Sequence, residues 1–172
     1  MSNITPFVYG SFILPGVIEK ERLVMSMTRE EKQLTDILVD DLMIPAEKVA
    51  HVQLNNPLEH ALLVLVKSGY SAVPVLDQDY KLVGMIGKTI ILDQILGLER
   101  FETEILSNKQ VKEVMRDDIH ILTRKDNFLS GLKAVINSPF ICVADEEGVF
   151  DGILTRRAIL KELQKDLYRS KK

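Results

Sequence analysis

Cysteine is almost missing from this chain: Cys142 is the single one in 172 residues. That excludes a disulfide framework or a Cys-rich zinc site within one chain, and it fits a reducing compartment. Long hydrophobic runs are missing too. The longest, at 61–66, spans six residues, where a membrane helix needs about 20. Positions 1–6 hold no Lys or Arg, so a secretory signal would lack its positive start. Surplus charge is small, a net −3, which argues against a broad nucleic-acid footprint. What is present is ordinary: 46% hydrophobic and 27% charged residues exclude a wholly disordered chain. A chain of this length buries about 70% of its unfolded surface and needs no covalent staple. The expectation is a soluble cytoplasmic protein with no membrane segment and no nucleic-acid partner.

Catalytic groupings are equally scarce. His51, His60 and His120 share no metal-ligand spacing, and Glu59-His60 lacks the second histidine of a zincin helix. Gly87-Lys88-Thr89 matches the end of a phosphate-binding P-loop, but position 82, where its first glycine belongs, is Leu82. Cys142 lies in a short apolar strand, where a thiol is structural rather than nucleophilic. With no nucleophile–base pair and no metal cluster in view, the expectation is a protein that is not an enzyme. The same expectation covers the site chemistry: no catalytic residue, no metal and no cofactor is foreseen.

The chain does hold an internal repeat. Val39-Asp40-Asp41-Leu42-Met43 returns 72 positions later as Val111-Lys112-Glu113-Val114-Met115. Tyr70 returns as Phe140, and Leu82-Val83-Gly84-Met85-Ile86 returns as Phe150-Asp151-Gly152-Ile153-Leu154. The pattern in each copy predicts a strand (49–53; 119–123), a helix (58–67, apolar nearly all round and so expected to be buried; its counterpart with a one-sided stripe of Phe128, Leu132, Val135 and Ile136), two strands (72–76 and 82–86; 141–144 and 149–154) and a last helix (89–96; 156–165). Ser68-Gly69 and Ser138-Pro139 stop the first helices, and the turns at 77–79 and 145–148 have hairpin chemistry. Two β-α-β-β-α units of about 60 residues, each marginal alone, are expected to pack as a pseudo-twofold α+β module.

The tandem β-α-β-β-α order, the hydrophobic–acidic–hydrophobic–Met lead-in and Val73-Pro74-Val75-Leu76-Asp77 running on to Gly84 resemble a CBS-domain pair, or Bateman module. More narrowly, Lys48-Val49-Ala50-His51-Val52, the stretch from Asn56-Pro57-Leu58 to Leu65, Gly97-Leu98-Glu99-Arg100 and Thr155-Arg156-Arg157 resemble the stand-alone cyclic di-AMP-binding CBS proteins of Gram-positive bacteria, the DarB/CbpB group. The expected organisation is an N-terminal extension (1–27), a leading helix (28–38) opened by a Thr28–Glu31 capping box, CBS motif 1 (39–98), a linker (99–110), CBS motif 2 (111–166) and a basic tail (167–172). The extension is expected to be flexible, with Met25 and Met27 placed as internal start codons would be. The resemblance implies a non-catalytic homodimer with cyclic di-AMP in the cleft between motifs. It also implies a regulated partner protein, such as a (p)ppGpp synthetase/hydrolase or pyruvate carboxylase.

Thr155-Arg156-Arg157 is the most informative local feature. Thr155 is a good N-cap, which puts both arginines in the first turn of a helix, where positive charge opposes the macrodipole. Together with the family match, this favours a phosphate site over a solvated surface pair. The resemblance places Lys48, Ala50, Tyr70, Arg156 and Arg157 along the dinucleotide site, with Val49, Ala72, Val73 and Thr155 as neighbours. Lys48 reads either as a further cation or as an exposed loop lysine. Ala50 leaves room for a flat base, although alanine in a strand is unremarkable. Tyr70 reads as an adenine-stacking residue or as a boundary residue, as Phe140 does. The acidic residue that many AMP- or ATP-binding pairs place three after the strand-ending Ser/Thr is replaced by Ala158 in one copy and Ile90 in the other. That departure favours a cyclic dinucleotide over AMP, ADP or ATP. Besides mononucleotide sensing, a structural adaptor dimer with no ligand remains the alternative. Segment 153–172 holds seven basic residues against two acidic ones, which suits the cation-favouring end of a helix.

Overall fold

The computed structural model describes residues 33–96 and 103–169. The expected extension, the capping box at 28–31 and the Gly97–Arg100 motif lie outside the described residues. Of the expected leading helix, residues 33–38 contain only a 3-10 turn, Leu34–Asp36, after which Ile37 is extended. Then follow helix α1 (Val39–Leu42), strand β1 (Ile44–Pro45), a 3-10 turn (Ala46–Lys48), β2 (Val52–Gln53), α2 (Leu58–Ser68), β3 (Ala72–Leu76), β4 (Leu82–Gly87) and α3 (Lys88–Ile95). The second copy brings α4 (Ile105–Asn108), a 3-10 turn (Val111–Glu113), β5 (Ile121–Leu122), α5 (Phe128–Val135), β6 (Phe140–Ala144), β7 (Phe150–Thr155) and α6 (Arg156–Arg169). This is the expected α+β pair of repeats. Part of the expected linker is therefore helical, and α6 runs on into the first residues of the expected basic tail.

The local chemistry repeats as well as the order. Asp77 Oδ1 accepts from the amides of Asp79 and Lys81, both at 2.9 Å, and Asp145 Oδ1 accepts from those of Glu147 (2.9 Å) and Val149 (2.8 Å). Each is an aspartate-built turn that closes a hairpin. Tyr80 (φ 59°) stands where the second turn has Gly148 (φ 85°). The turns also bind each other, with the Leu82 amide donating to Gly148 and the Phe150 amide donating to Tyr80, at 2.9 and 3.0 Å.

In the first sheet the order is β2-β3-β4, with β2 parallel and β4 antiparallel to β3. The second sheet runs β1-β7-β6-β5, so it includes a strand from the first copy. The two lead-in segments have changed places. Ile44 pairs with Ile153 and Pro45 with Gly152, and Arg116 forms the matching bridge to Met85. Val39 is buried in the core of Leu122, Phe128, Val143, Leu154 and Ile159, while Val111 is buried with Val52, Leu58, Leu65, Val73 and Ile86. A third cluster of Val49, Leu76, Phe140, Cys142, Phe150 and Ile153 joins the copies. Glycine permits both crossings: a Cβ at Gly84 would fall on the Arg116 carbonyl, and one at Gly152 on the Ile44 carbonyl.

Helix α2 is not buried on every side. Leu58, Ala61 and Leu65 are covered, but Leu63 and Val66 are exposed. The helix packs on its sheet and against α3 and α4, and among the described residues nothing covers the side that carries Leu63 and Val66. Among the described residues no helix is long and apolar enough to cross a membrane.

Candidate functional site

A cavity of about 310 Å³ lies where the two copies meet. Six residues singled out from the sequence line it: Val49, Ala50, Tyr70, Ala72, Thr155 and Arg157. The run 46–50 enters as the 3-10 turn and the approach to β2, Tyr70 follows the left-handed Gly69 that ends α2 (φ 75°), and Thr155 and Arg157 come from the β7–α6 junction. Thr155 is the expected N-cap, its Oγ1 accepting from the Ala158 amide at 3.2 Å.

Three expected residues are not among those lining the cavity. Val73 is fully buried in the first core. Along β3, Ala72 and Pro74 line the cavity, and strand alternation turns Val73 to the opposite face. Lys48 is exposed at the end of its turn, beside the lining residue Val49. Arg156 is occupied elsewhere: its Nε donates to the Val135 carbonyl at 2.8 Å and a terminal nitrogen donates to Ile136 at 3.2 Å. It closes the C-terminal end of α5, where carbonyls lack helical partners and a cation is favoured. The amide of Arg156 is bonded to Pro139 at 2.9 Å. The expected pair of guanidinium forks is therefore one fork, that of Arg157.

The cavity also takes Ile44, Ser71, Pro74, Pro139, Phe140 and Ile153, which the sequence reading left out. Phe140 was findable as the repeat partner of Tyr70. Ile44 was not, because only the exchanged lead-in brings it to β7. Among the described lining residues Arg157 carries the one formal charge, and no carboxylate opposes it. Small Ala50 and Ala72, the aromatic rings of Tyr70 and Phe140, and one guanidinium suit a flat apolar ring system carrying an anionic group.

A pseudo-equivalent cavity of about 540 Å³ contains Met85, Thr89, Asp93, Arg116, Asp118 and His120. Thr89 stands in the repeat position of Arg157, and Asp118 in that of Lys48. Two carboxylates against one arginine give this cleft the opposite balance and make it a poor receiver of anions.

Comparison with known proteins bears on the family and the fold. The CBS domain family profile matches residues 39–97, the first copy. Cyclic di-AMP receptor B of Bacillus subtilis is 51% identical over 138 residues, 80% of this chain and 94% of that protein. A CBS-domain-containing protein of Bacillus anthracis superposes with a TM-score of 0.73 at 60% identity, covering 77% of this chain and 96% of the other. The CbpB protein of Listeria monocytogenes, solved in complex with c-di-AMP, gives a TM-score of 0.71 at 46% identity, covering 76% and 97%. The tandem repeats and these matches lead to one assignment: the chain belongs to the CBS-domain family, as a pair of CBS repeats similar to cyclic di-AMP receptor B.

Proposed function

We propose that this protein is a non-catalytic receptor for cyclic di-AMP that works as a cytoplasmic homodimer. In this reading, ligand occupancy controls a partner protein such as a (p)ppGpp synthetase/hydrolase of the stringent response, or pyruvate carboxylase. The observation that carries the ligand is the cavity between the copies, with Arg157 as its one charge among the described residues. A phosphate meets that guanidinium with no carboxylate to repel it, while adenine faces meet Tyr70 and Phe140. Similarity to a cyclic di-AMP receptor and to a c-di-AMP complex supports the same ligand. Ala158 and Ile90, in the places where an acid would grip a ribose diol, weigh against AMP, ADP or ATP. Exposed Val66 on α2 and Ile136 just after α5, which occupy matching positions in the two copies, support a dimer through outer helix faces. The ligand acts on the partner only through its differential affinity for the partner-free and partner-bound forms.

Calorimetry with cyclic di-AMP, AMP and ATP on the original chain and on Arg157→Ala tests the reading. Losing one charge-assisted phosphate contact is expected to weaken cyclic di-AMP by about 10- to 150-fold. Binding of the mononucleotides alone would refute the dinucleotide assignment. No binding at all would leave an adaptor dimer.

A further inference from the structure

We propose that the second cleft binds a small organic cation carrying ammonium or guanidinium groups, and that this occupant strengthens the ligand of the first cleft. The coupling rests on the cyclic di-AMP reading above; the cation site stands apart from it.

The two clefts are lined from corresponding stretches of the two copies, and charge is reversed between them position by position. Asp118 stands where the first copy has Lys48, and Asp93 where the second copy has Lys161. Thr89 takes the place of Arg157, so the guanidinium that suits a phosphate in one cleft is missing from the other. His120 puts a ring where Ala50 leaves space. Arg116, in the place of Ile44, is the one cation gained. Among the described residues, the side chains of Asp93, Arg116, Asp118 and His120 form no hydrogen bond or ion pair with one another or with a neighbour. Their charges are uncommitted.

A metal ion is a poor match for this set. Among the described residues no three His, Asp or Glu side chains are grouped closely enough to hold one, and Arg116 would repel it. Two carboxylates beside the rings of Phe140 and His120 suit a cation on an organic frame, whose flat guanidinium or ammonium end can rest on an aromatic face. The volume of about 540 Å³ is that of a small-molecule site. Neither Val66 nor Ile136, the residues that support the dimer, lines this cleft.

Ser71, Ala72, Pro139 and Phe140 line both cavities, so the two occupants share one wall. A cation on one side of it and a phosphate on the other attract. Linkage makes the effect mutual: each ligand tightens the other by the same factor.

The test uses the full chain, with agmatine, arginine and AMP titrated by calorimetry. Agmatine is expected to bind the original chain, to bind Asp118→Asn about tenfold more weakly, and to be lost in Asp118→Lys. The urea midpoint of Asp118→Asn should not move, because this exposed side chain makes no bond; lost affinity is then not lost fold. Arg116→Ala separates two sources of the cation. It strengthens agmatine by removing a like charge, and it weakens arginine if Arg116 takes a carboxylate, which marks an amino acid rather than a plain amine. No binding of agmatine or arginine at millimolar concentration overturns the site, as does equal binding by both Asp118 variants. AMP binding that Arg116→Ala abolishes would put an anion in this cleft and also overturn it. With cyclic di-AMP saturating, agmatine is expected to bind about fivefold more tightly, and an unchanged or weaker affinity overturns the coupling. If cyclic di-AMP does not bind the original chain, that reading fails separately, and the agmatine titrations still decide the cation site.

Discussion

Arg156 and Arg157 are adjacent in sequence but leave α6 about 100° apart, and that rotation separates their work. Arg156 bonds the carbonyls at the end of α5, whereas Arg157 faces the cavity. Arg156→Ala should therefore lower stability by about 1–2 kcal/mol in urea denaturation while leaving ligand affinity within about twofold. A large loss of affinity without a loss of stability would return Arg156 to the site. Cys142 is a second single-residue test. It is 1% exposed, and burial pushes its thiol up to about 12. The unfolded thiol ionises near its ordinary value while the native one keeps its proton. Between those values the unfolded state holds fewer protons, so this contribution to stability is intact below about pH 9 and declines as pH rises toward 12. Denaturation midpoints at pH 8 and pH 10, compared with those of Cys142→Ala, measure that contribution. At pH 8 the native thiol should also resist a disulfide reagent that modifies the unfolded chain.

At the scale of elements, the exchanged lead-ins decide how the copies hold together. Each crosses the last strand of the other copy at a glycine that cannot carry a Cβ without displacing backbone. Gly84→Ala and Gly152→Ala should each cost about 2–4 kcal/mol. Gly148→Ala should cost about 1–2 kcal/mol, because its surroundings are open and only its φ of 85° penalises a side chain. Equal losses at all three positions in denaturation would contradict the role of the crossings. Arg124 adds a surface tie between the same parts, bonding Asp40 of α1 at 2.9 Å and Asp151 of β7 at 2.7 Å. The bond to Asp151, with a smaller one to Asp40, raises its pKa, so it stays charged. The element order was legible because each helix and hairpin is specified by nearby residues, such as the turn aspartates Asp77 and Asp145. The exchange was not legible, because Val39 and Val111 carry the same pattern whichever core receives them.

At the scale of the whole molecule, the outer helix faces remain to be covered. Val66 and Ile136 are each 62% exposed, more open than a lone apolar residue on a packed surface needs to be. For the proposed homodimer, the double variant Val66→Glu/Ile136→Glu should sediment as a monomer while retaining its helical signal. A double variant that still sediments as a dimer would place the interface elsewhere. The two clefts also differ as wholes. One offers an arginine with no opposing acid among the described residues, and the other sets Asp93 and Asp118 against Arg116. The repeat places two similar hollows in the molecule, and the residues at corresponding positions give them unlike charge.

The sequence by itself determined the duplication, the α+β order of each copy, the aspartate turns and the Thr155 cap, because these depend on residues within a few positions of one another. It also marked Ala50, Tyr70 and Arg157, which the structure brings to one cavity. Tertiary structure alone decided that the lead-ins trade partners, that Ile44 enters the cleft, that Val73 turns into the core and that Arg156 is diverted to α5. Those outcomes depend on which distant surface each residue packs against. Spacing along the chain carries no record of that choice.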